Sequence, residues 1–166
     1  MTLEMLTEEP DLQVLLVPIG AGTGAAGACI AARTLNPALR VIGVQSDASP
    51  AAYRSWQSKE MVSAPNQTLA EGLATGTGFA LPQAILWQML DEFLLVSDAE
   101  ILQAMVWMIE RAHTLAEGAG AASLAAAYRL RGELAGKKVG LVCSGGNTSL
   151  QQLKQALDAA KIDAGA

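Results

Sequence analysis

One histidine and two cysteines are all that 166 residues offer as soft metal ligands. Neither Cys29 nor Cys143 has a histidine or a second cysteine at ligand spacing, so no metal site is expected, and both thiols read as buried and free. The chain has no run of lysine or arginine and a formal net charge of -5, which removes the electrostatic footprint that binding nucleic acid requires. It also has no uncharged apolar stretch of about 18 residues, the minimum for a membrane span. The first ten residues carry three glutamates where a targeting leader would be basic and then apolar. These absences predict a soluble, cytoplasmic chain with neither nucleic acid nor membrane as partner. Charge of either sign is scarce as well, 16% of residues against about 25% in an ordinary domain. With 51% apolar residues, the surface is expected to be covered by another chain, as in a homo-oligomer. The apolar stretch 105–109 is the first candidate contact, and the face of the helix 25–35 the second.

What the chain does have is glycine at two places of the same kind. Gly20, Ala21, Gly22, Thr23 and Gly24 follow the apolar run 12–17, and Ser144, Gly145, Gly146 and Asn147 follow the run 138–143. Both runs are too short for helices and are continuous enough for strands buried on two faces. Further strands are expected at 40–44 and 93–96, and helices at 25–35, 50–58, 82–90, 97–113, 118–130 and 149–161. Ser97 and Glu100 have the spacing of a capping box, whereas 67–79, broken by Gly72, Gly76 and Gly78, reads as a loop. Strands alternating with helices predict a single α/β domain: a parallel, doubly wound, Rossmann-like sheet of about four strands with helices on both faces. Ligands of such sheets bind at the carboxyl ends of the strands, where both glycine loops would lie. A glycine turn running into a helix presents backbone N–H groups to an anion, so a small phosphorylated ligand is expected.

Gly22, Gly24 and Gly27 also satisfy the G-x-G-x-x-G spacing of a dinucleotide site. That reading requires an acidic residue at the end of the second strand. Gln45 and Ser46 stand there, and Asp47 comes slightly late.

With the second loop included, residues 11–150 resemble the carboxyl-terminal half of the tryptophan-synthase-like (fold type II) pyridoxal-phosphate enzymes, in particular the threonine dehydratase and serine racemase group. The resemblance rests on six segments in the family's order. These are Val17-Pro18-Ile19 with the loop after it; Asn36-Pro37 with 40–44; Leu69-Ala70-Glu71-Gly72-Leu73; 95–101, which includes Ser97-Asp98-Ala99-Glu100; 115–122, which includes Glu117-Gly118-Ala119-Gly120; and 134–139 leading to Ser144-Gly145-Gly146-Asn147.

The resemblance implies that Gly20, Ala21, Gly22, Thr23 and Gly24 hold the phosphate of pyridoxal phosphate, although the family usually has four consecutive glycines there. It implies that Ser144 faces the pyridine nitrogen and that Gly72, with Glu71 and Glu117 nearby, lines the pocket. A serine that merely caps a helix is the alternative for Ser144. Gln45 replaces a glutamate that forms part of a divalent-cation site in some relatives, and Ala51 falls where a later acidic ligand would be, so no metal is implied. The family's Schiff-base lysine lies in a segment amino-terminal to anything matched here. Lys59, Lys137, Lys138, Lys154 and Lys161 all read as solvated charges, and His113 as an ordinary helix-end residue. No catalytic residue is therefore assigned. Three readings stay open: a truncated or split threonine dehydratase-like lyase domain, inactive until a separate N-terminal half supplies the lysine; a noncatalytic domain for a phosphorylated ligand or a protein partner; and a dinucleotide-binding module.

Overall fold

The computed structural model describes residues 1–160. Four strands, β1 (Val14–Pro18), β2 (Arg40–Ser46), β3 (Glu92–Val96) and β4 (Val139–Leu141), pair in parallel in the order β3-β2-β1-β4. Eight helices are found among the described residues: α1 (Thr2–Glu8), α2 (Thr23–Leu35), α3 (Ala51–Ser58), α4 (Ala80–Met89), α5 (Asp98–Ala112), α6 (Gly118–Arg129), α7 (Arg131–Leu134) and α8 (Leu150–Ala159). A 3-10 turn, Glu71–Leu73, interrupts the loop expected at 67–79.

Successive side chains of a strand point to opposite faces, and here both faces are covered. Leu15, Val17, Val41 and Phe93 pack under α1, α2, α3 and α4. Val14, Leu16, Ile42, Val44 and Val96 pack under α5, α6, α7 and α8. This two-sided burial makes the strands continuous apolar runs, and it is the doubly wound arrangement the sequence predicts. The helix α6 can lie directly on β1 because its buried side is glycine, alanine and Ser123, whose Oγ donates to the Leu16 carbonyl at 3.2 Å.

Winding of the chain places the functional crevice. From β1 it moves outward through β2 to β3, with the crossovers on the α2 side, then returns past β1 by way of α5 and α6 to β4 on the other flank. The segments leaving β1 and β4 therefore diverge to opposite faces of the sheet, α2 on one and α8 on the other. A crevice between adjacent strands' carboxyl ends is the topological switch point where such folds bind ligands.

Several expectations need correction. No element is expected at residues 1–10, yet α1 forms there and docks through Leu6. β4 is three residues long: Val142 donates one more bond to the Leu16 carbonyl, and the chain then leaves the sheet, so Cys143 is exposed rather than buried. In the stretch 105–109 Met105 and Val106 are buried in this chain's own core, while Trp107, Met108 and Ile109 are half-buried, so the surface of that stretch is confined to 107–109. Lys161 lies outside the described residues.

Candidate functional site

Gly20, Ala21, Gly22, Thr23 and Gly24 connect β1 to α2 at the carboxyl edge of the sheet. Gly22 is the N-cap of α2 and adopts φ +91°, where a side chain would be strained and would press on Pro82 at 3.1 Å. Ala21 and Thr23 do not have positive φ, so the two departures from an all-glycine loop cost no backbone strain. The first N–H groups of any helix lack carbonyl partners within it. Side chains supply partners at two helices, Ser97 and Glu100 at α5 and Ser149 and Gln152 at α8, while α4 and α6, like α2, have no such cap. The start of α2 receives no side-chain cap and has no acidic residue in its first turn. A Cβ on Gly24 would meet no atom within 4 Å. The donors thus face open space beside a positive dipole end, which is suited to an anion.

On the other side of the crevice, Ser144, Gly145, Gly146 and Asn147 follow β4. The Gly145 carbonyl accepts from the Glu117 N–H at 3.1 Å, which anchors this loop to the N-cap of α6. A Cβ on Gly120 would collide with that same carbonyl, and one on Gly145 would collide with the Glu117 carboxylate. Close approach of a backbone carbonyl requires glycine at 120, whereas at 145 the neighbour is the end of the Glu117 side chain, which can turn aside. Ser144 is exposed, and Ser149 rather than Ser144 caps the following helix, so the helix-capping alternative for Ser144 is not realised.

A third segment, residues 68–75, lies between the two loops. The Gly72 carbonyl occupies the space in which a side chain on Gly20 would begin, and the Cβ position of Gly72 is 2.7 Å from the Ala119 Cβ. Glu71 accepts a weak bond from Gln152 Nε2 at 3.4 Å. Thr75 Oγ1 donates toward the Gly20 carbonyl at 3.4 Å. Sequence reasoning brought Gly72 to the site but missed what holds its segment in place. Asp98 accepts from Thr68 Oγ1 at 2.6 Å, from Ser46 Oγ at 2.7 Å and from the Leu69 N–H at 2.9 Å. Only its place beside the Ser97/Glu100 capping box marked it.

Gln45 is fully buried, and its Oε1 accepts from the Tyr53 N–H at 3.0 Å. An amide from β2 thus caps the first turn of α3, occupying the oxygen that a cation would need. Among the described residues no group of three or more His, Cys, Asp and Glu could hold a metal ion. The dinucleotide spacing also lacks its physical purpose, since the third glycine of that pattern serves close helix–strand packing and Gly27 is exposed with nothing within 4 Å of its Cβ position.

The described lysines stand apart from the crevice. Lys137 and Lys138 precede β4 at the opposite edge of the sheet, and Lys138 pairs with Glu9 at 2.5 Å and Asp11 at 2.6 Å. Lys59 ends α3 with its Nζ 4.6 Å from the Trp56 ring centroid, and Lys154 pairs with Asp158 at 2.5 Å along α8. His113 is the exposed C-cap of α5. No helix of the described residues is long and apolar enough to cross a membrane.

A family model described as pyridoxal-phosphate dependent enzyme matches residues 1–145. An L-threonine ammonia-lyase of Geobacter sulfurreducens is 39% identical over 165 residues, 98% of this chain and 41% of that protein. A serine racemase of Dictyostelium discoideum is 32% identical over 163 residues, 95% of this chain and 50% of that protein. The solved structure of maize serine racemase superposes with a TM-score of 0.84 at 27% identity, covering 95% of this chain and 51% of that one. The chain therefore spans about half the length, or less, of the relatives it matches.

Proposed function

Because this chain belongs to the family of pyridoxal-phosphate dependent enzymes, we propose that it is the phosphate- and ring-binding portion of a threonine dehydratase-like lyase acting on a hydroxyamino acid. The observation that carries this reading is the uncapped, acid-free start of α2, opening into the crevice between β1 and β4. Its first-turn N–H groups would hold the cofactor's phosphate, with Gly20, Ala21, Gly22, Thr23 and Gly24 keeping the approach clear. The exposed Thr23 hydroxyl is available for one more bond. Ser144, across the crevice, would face the ring nitrogen. A hydroxyl is neutral and does not hold a proton on that nitrogen, which favours β-elimination over transamination. Gly72 would let the third segment approach both loops without filling the space between them.

When bound, pyridoxal phosphate supplies the conjugated ring that draws electrons from the substrate's Cα as its proton and then its β-hydroxyl are lost. The amine that attaches this group is not supplied by the described lysines. We assign it to a part of the protein beyond these residues, on the same or a separate chain. Residues 1–166 then correspond to the carboxyl-terminal part of the large cofactor domain and have no lyase activity alone. The reading places the protein in the cytoplasm and in a homo-oligomer, with Ile30 and Leu35 of α2, 48% and 55% exposed, as the apolar contact.

The test is to add pyridoxal phosphate to the purified chain, reduce with borohydride, identify any modified lysine by mass spectrometry, and assay threonine for release of 2-oxobutanoate. Reversible binding with neither a defined adduct nor product is expected. A defined adduct together with 2-oxobutanoate would contradict the inactivity of the chain alone, and no binding at all would contradict the site.

A further inference from the structure

The separation of the two glycine loops is governed by a segment that belongs to neither. Residues 68–75 press the Gly72 carbonyl against Gly20 on one side, and on the other the Cβ position of Gly72 lies 2.7 Å from the Ala119 Cβ and 3.7 Å from a Glu117 carboxylate oxygen. Glu117 in turn holds Gly145. A shift of this segment is therefore felt by the first loop through a backbone contact that no side-chain rotation can relieve, and by the second through the start of α6, which Ala119 and Glu117 line.

A carboxylate pins the segment at its start. Asp98 Oδ1 accepts from Thr68 Oγ1 at 2.6 Å and from Ser46 Oγ at 2.7 Å, and its Oδ2 accepts from the Leu69 N–H at 2.9 Å. Thr68 Oγ1 also accepts from the Ala70 N–H at 3.1 Å, and Ser46 Oγ from the Ala48 N–H at 3.1 Å. Ser46 is fully buried at the end of β2. Asp98 thus ties a surface segment to the rigid carboxyl edge of the sheet. Hydrogen bonds to an ionised carboxylate are roughly twice as strong as neutral ones. At the segment's other end the partners are neutral and longer: Thr75 Oγ1 to the Gly20 carbonyl at 3.4 Å, and Ser49 Oγ to the Thr75 carbonyl at 3.1 Å.

We propose that Asp98 is a positioning residue for the phosphate site: by anchoring residues 68–75 to β2 it sets the spacing between the two loops, without touching the ligand. The proposal rests on the reading of Gly20, Ala21, Gly22, Thr23 and Gly24 as the phosphate loop. It distinguishes two substitutions. In Asp98→Asn the amide oxygen can accept from Leu69 while the NH₂ donates to the hydroxyls of Ser46 and Thr68, which are free to turn. Asp98→Ala loses all three bonds.

The experiment titrates the isotope-labelled chain with pyridoxal phosphate, follows the backbone amides of Thr23 and Gly24 by NMR, and measures urea unfolding in parallel. Saturable shifts in the unsubstituted chain are expected, and their absence would sink the phosphate-loop reading itself. Given binding, Asp98→Ala is expected to weaken it about tenfold or more, while Asp98→Asn stays within about threefold. A purely structural role would lower stability in both variants without this split in affinity. Unchanged affinity in Asp98→Ala, or equal loss in both, would overturn the proposal. If Asp98→Ala does not fold, Thr68→Val removes only the hydroxyl between Asp98 and the segment. It is expected to weaken binding about fivefold, and wild-type affinity there would equally overturn the proposal.

Discussion

Gly20 and Gly72 are locked backbone to backbone: the carbonyl oxygen of Gly72 fills the place where a side chain on Gly20 would begin. A peptide carbonyl cannot rotate aside as a side chain can. Gly20→Ala is expected to destabilise the chain by about 1–3 kcal/mol, the range for overpacking a tight site, and to weaken phosphate binding with it. Gly24→Ala should separate the two effects. Its Cβ meets no protein atom, so stability should be unchanged or rise by up to about 1 kcal/mol from helix propensity, yet the methyl group enters the open space assigned to the anion. Urea denaturation with parallel phosphate titration of both variants checks this. Equal destabilisation by the two would contradict it.

The two thiols should differ sharply in reactivity. Cys29 is fully buried, and burial pushes its thiol up to about 11. Cys143 is exposed just beyond β4. One thiol per chain should react rapidly with a disulfide reagent at pH 8, and Cys143→Ser should abolish that phase. Cys29 should react only on unfolding. Two equal fast phases would show that α2 does not bury Cys29 as described, and no fast phase would show that the segment after β4 is not placed as described.

The Glu100–Arg129 pair makes a prediction about acid. Burial pushes the Glu100 carboxyl upward, but hydrogen bonds from the Arg129 guanidinium and from Ser97 outweigh it and hold the group below the usual carboxylate range. A carboxyl with a depressed folded value contributes stability above its unfolded value, near about 4.3, and loses that contribution as the pH falls through the folded one. Both side chains are partly exposed, so the contribution is modest. Glu100→Gln keeps the capping geometry and should cost up to about 1 kcal/mol at pH 7. The difference from the unsubstituted chain should close as the pH falls below about 4, measured by urea unfolding between pH 3 and 7. A gap that widens in acid would reverse the sign argued here.

What the sequence made legible was local. Strand runs, the Ser97/Glu100 box and the glycines of both loops are patterns of a few adjacent residues, and they folded where they were expected. α2 begins at Thr23, two residues before the expected start, because the helix takes over as soon as Gly22 has made its left-handed turn. The helices α1 and α7 were not legible: seven and four residues carry no apolar stripe long enough to show a period, and docking of Leu6 and Leu134 decides them. The exposure of Cys143 depends on where β1 stops offering partners to β4. Asp98 was hidden for a different reason. A capping box accounts for its neighbours, while its own partners Thr68 and Ser46 are 30 and 52 residues away. No local pattern reports such a contact.

The central claim is that one ligand bridges the loops after β1 and β4. Chemical-shift mapping with pyridoxal phosphate and, separately, with inorganic phosphate tests it most directly. Inorganic phosphate should move the amides of Thr23 and Gly24 alone, whereas pyridoxal phosphate should move these together with Ser144 and Gly145. Both responses should vanish in Gly22→Val, which places a branched side chain at φ +91° in that loop. Shifts confined to the opposite edge of the sheet, around Arg40 and Lys137, or an undiminished response in Gly22→Val, would contradict the account.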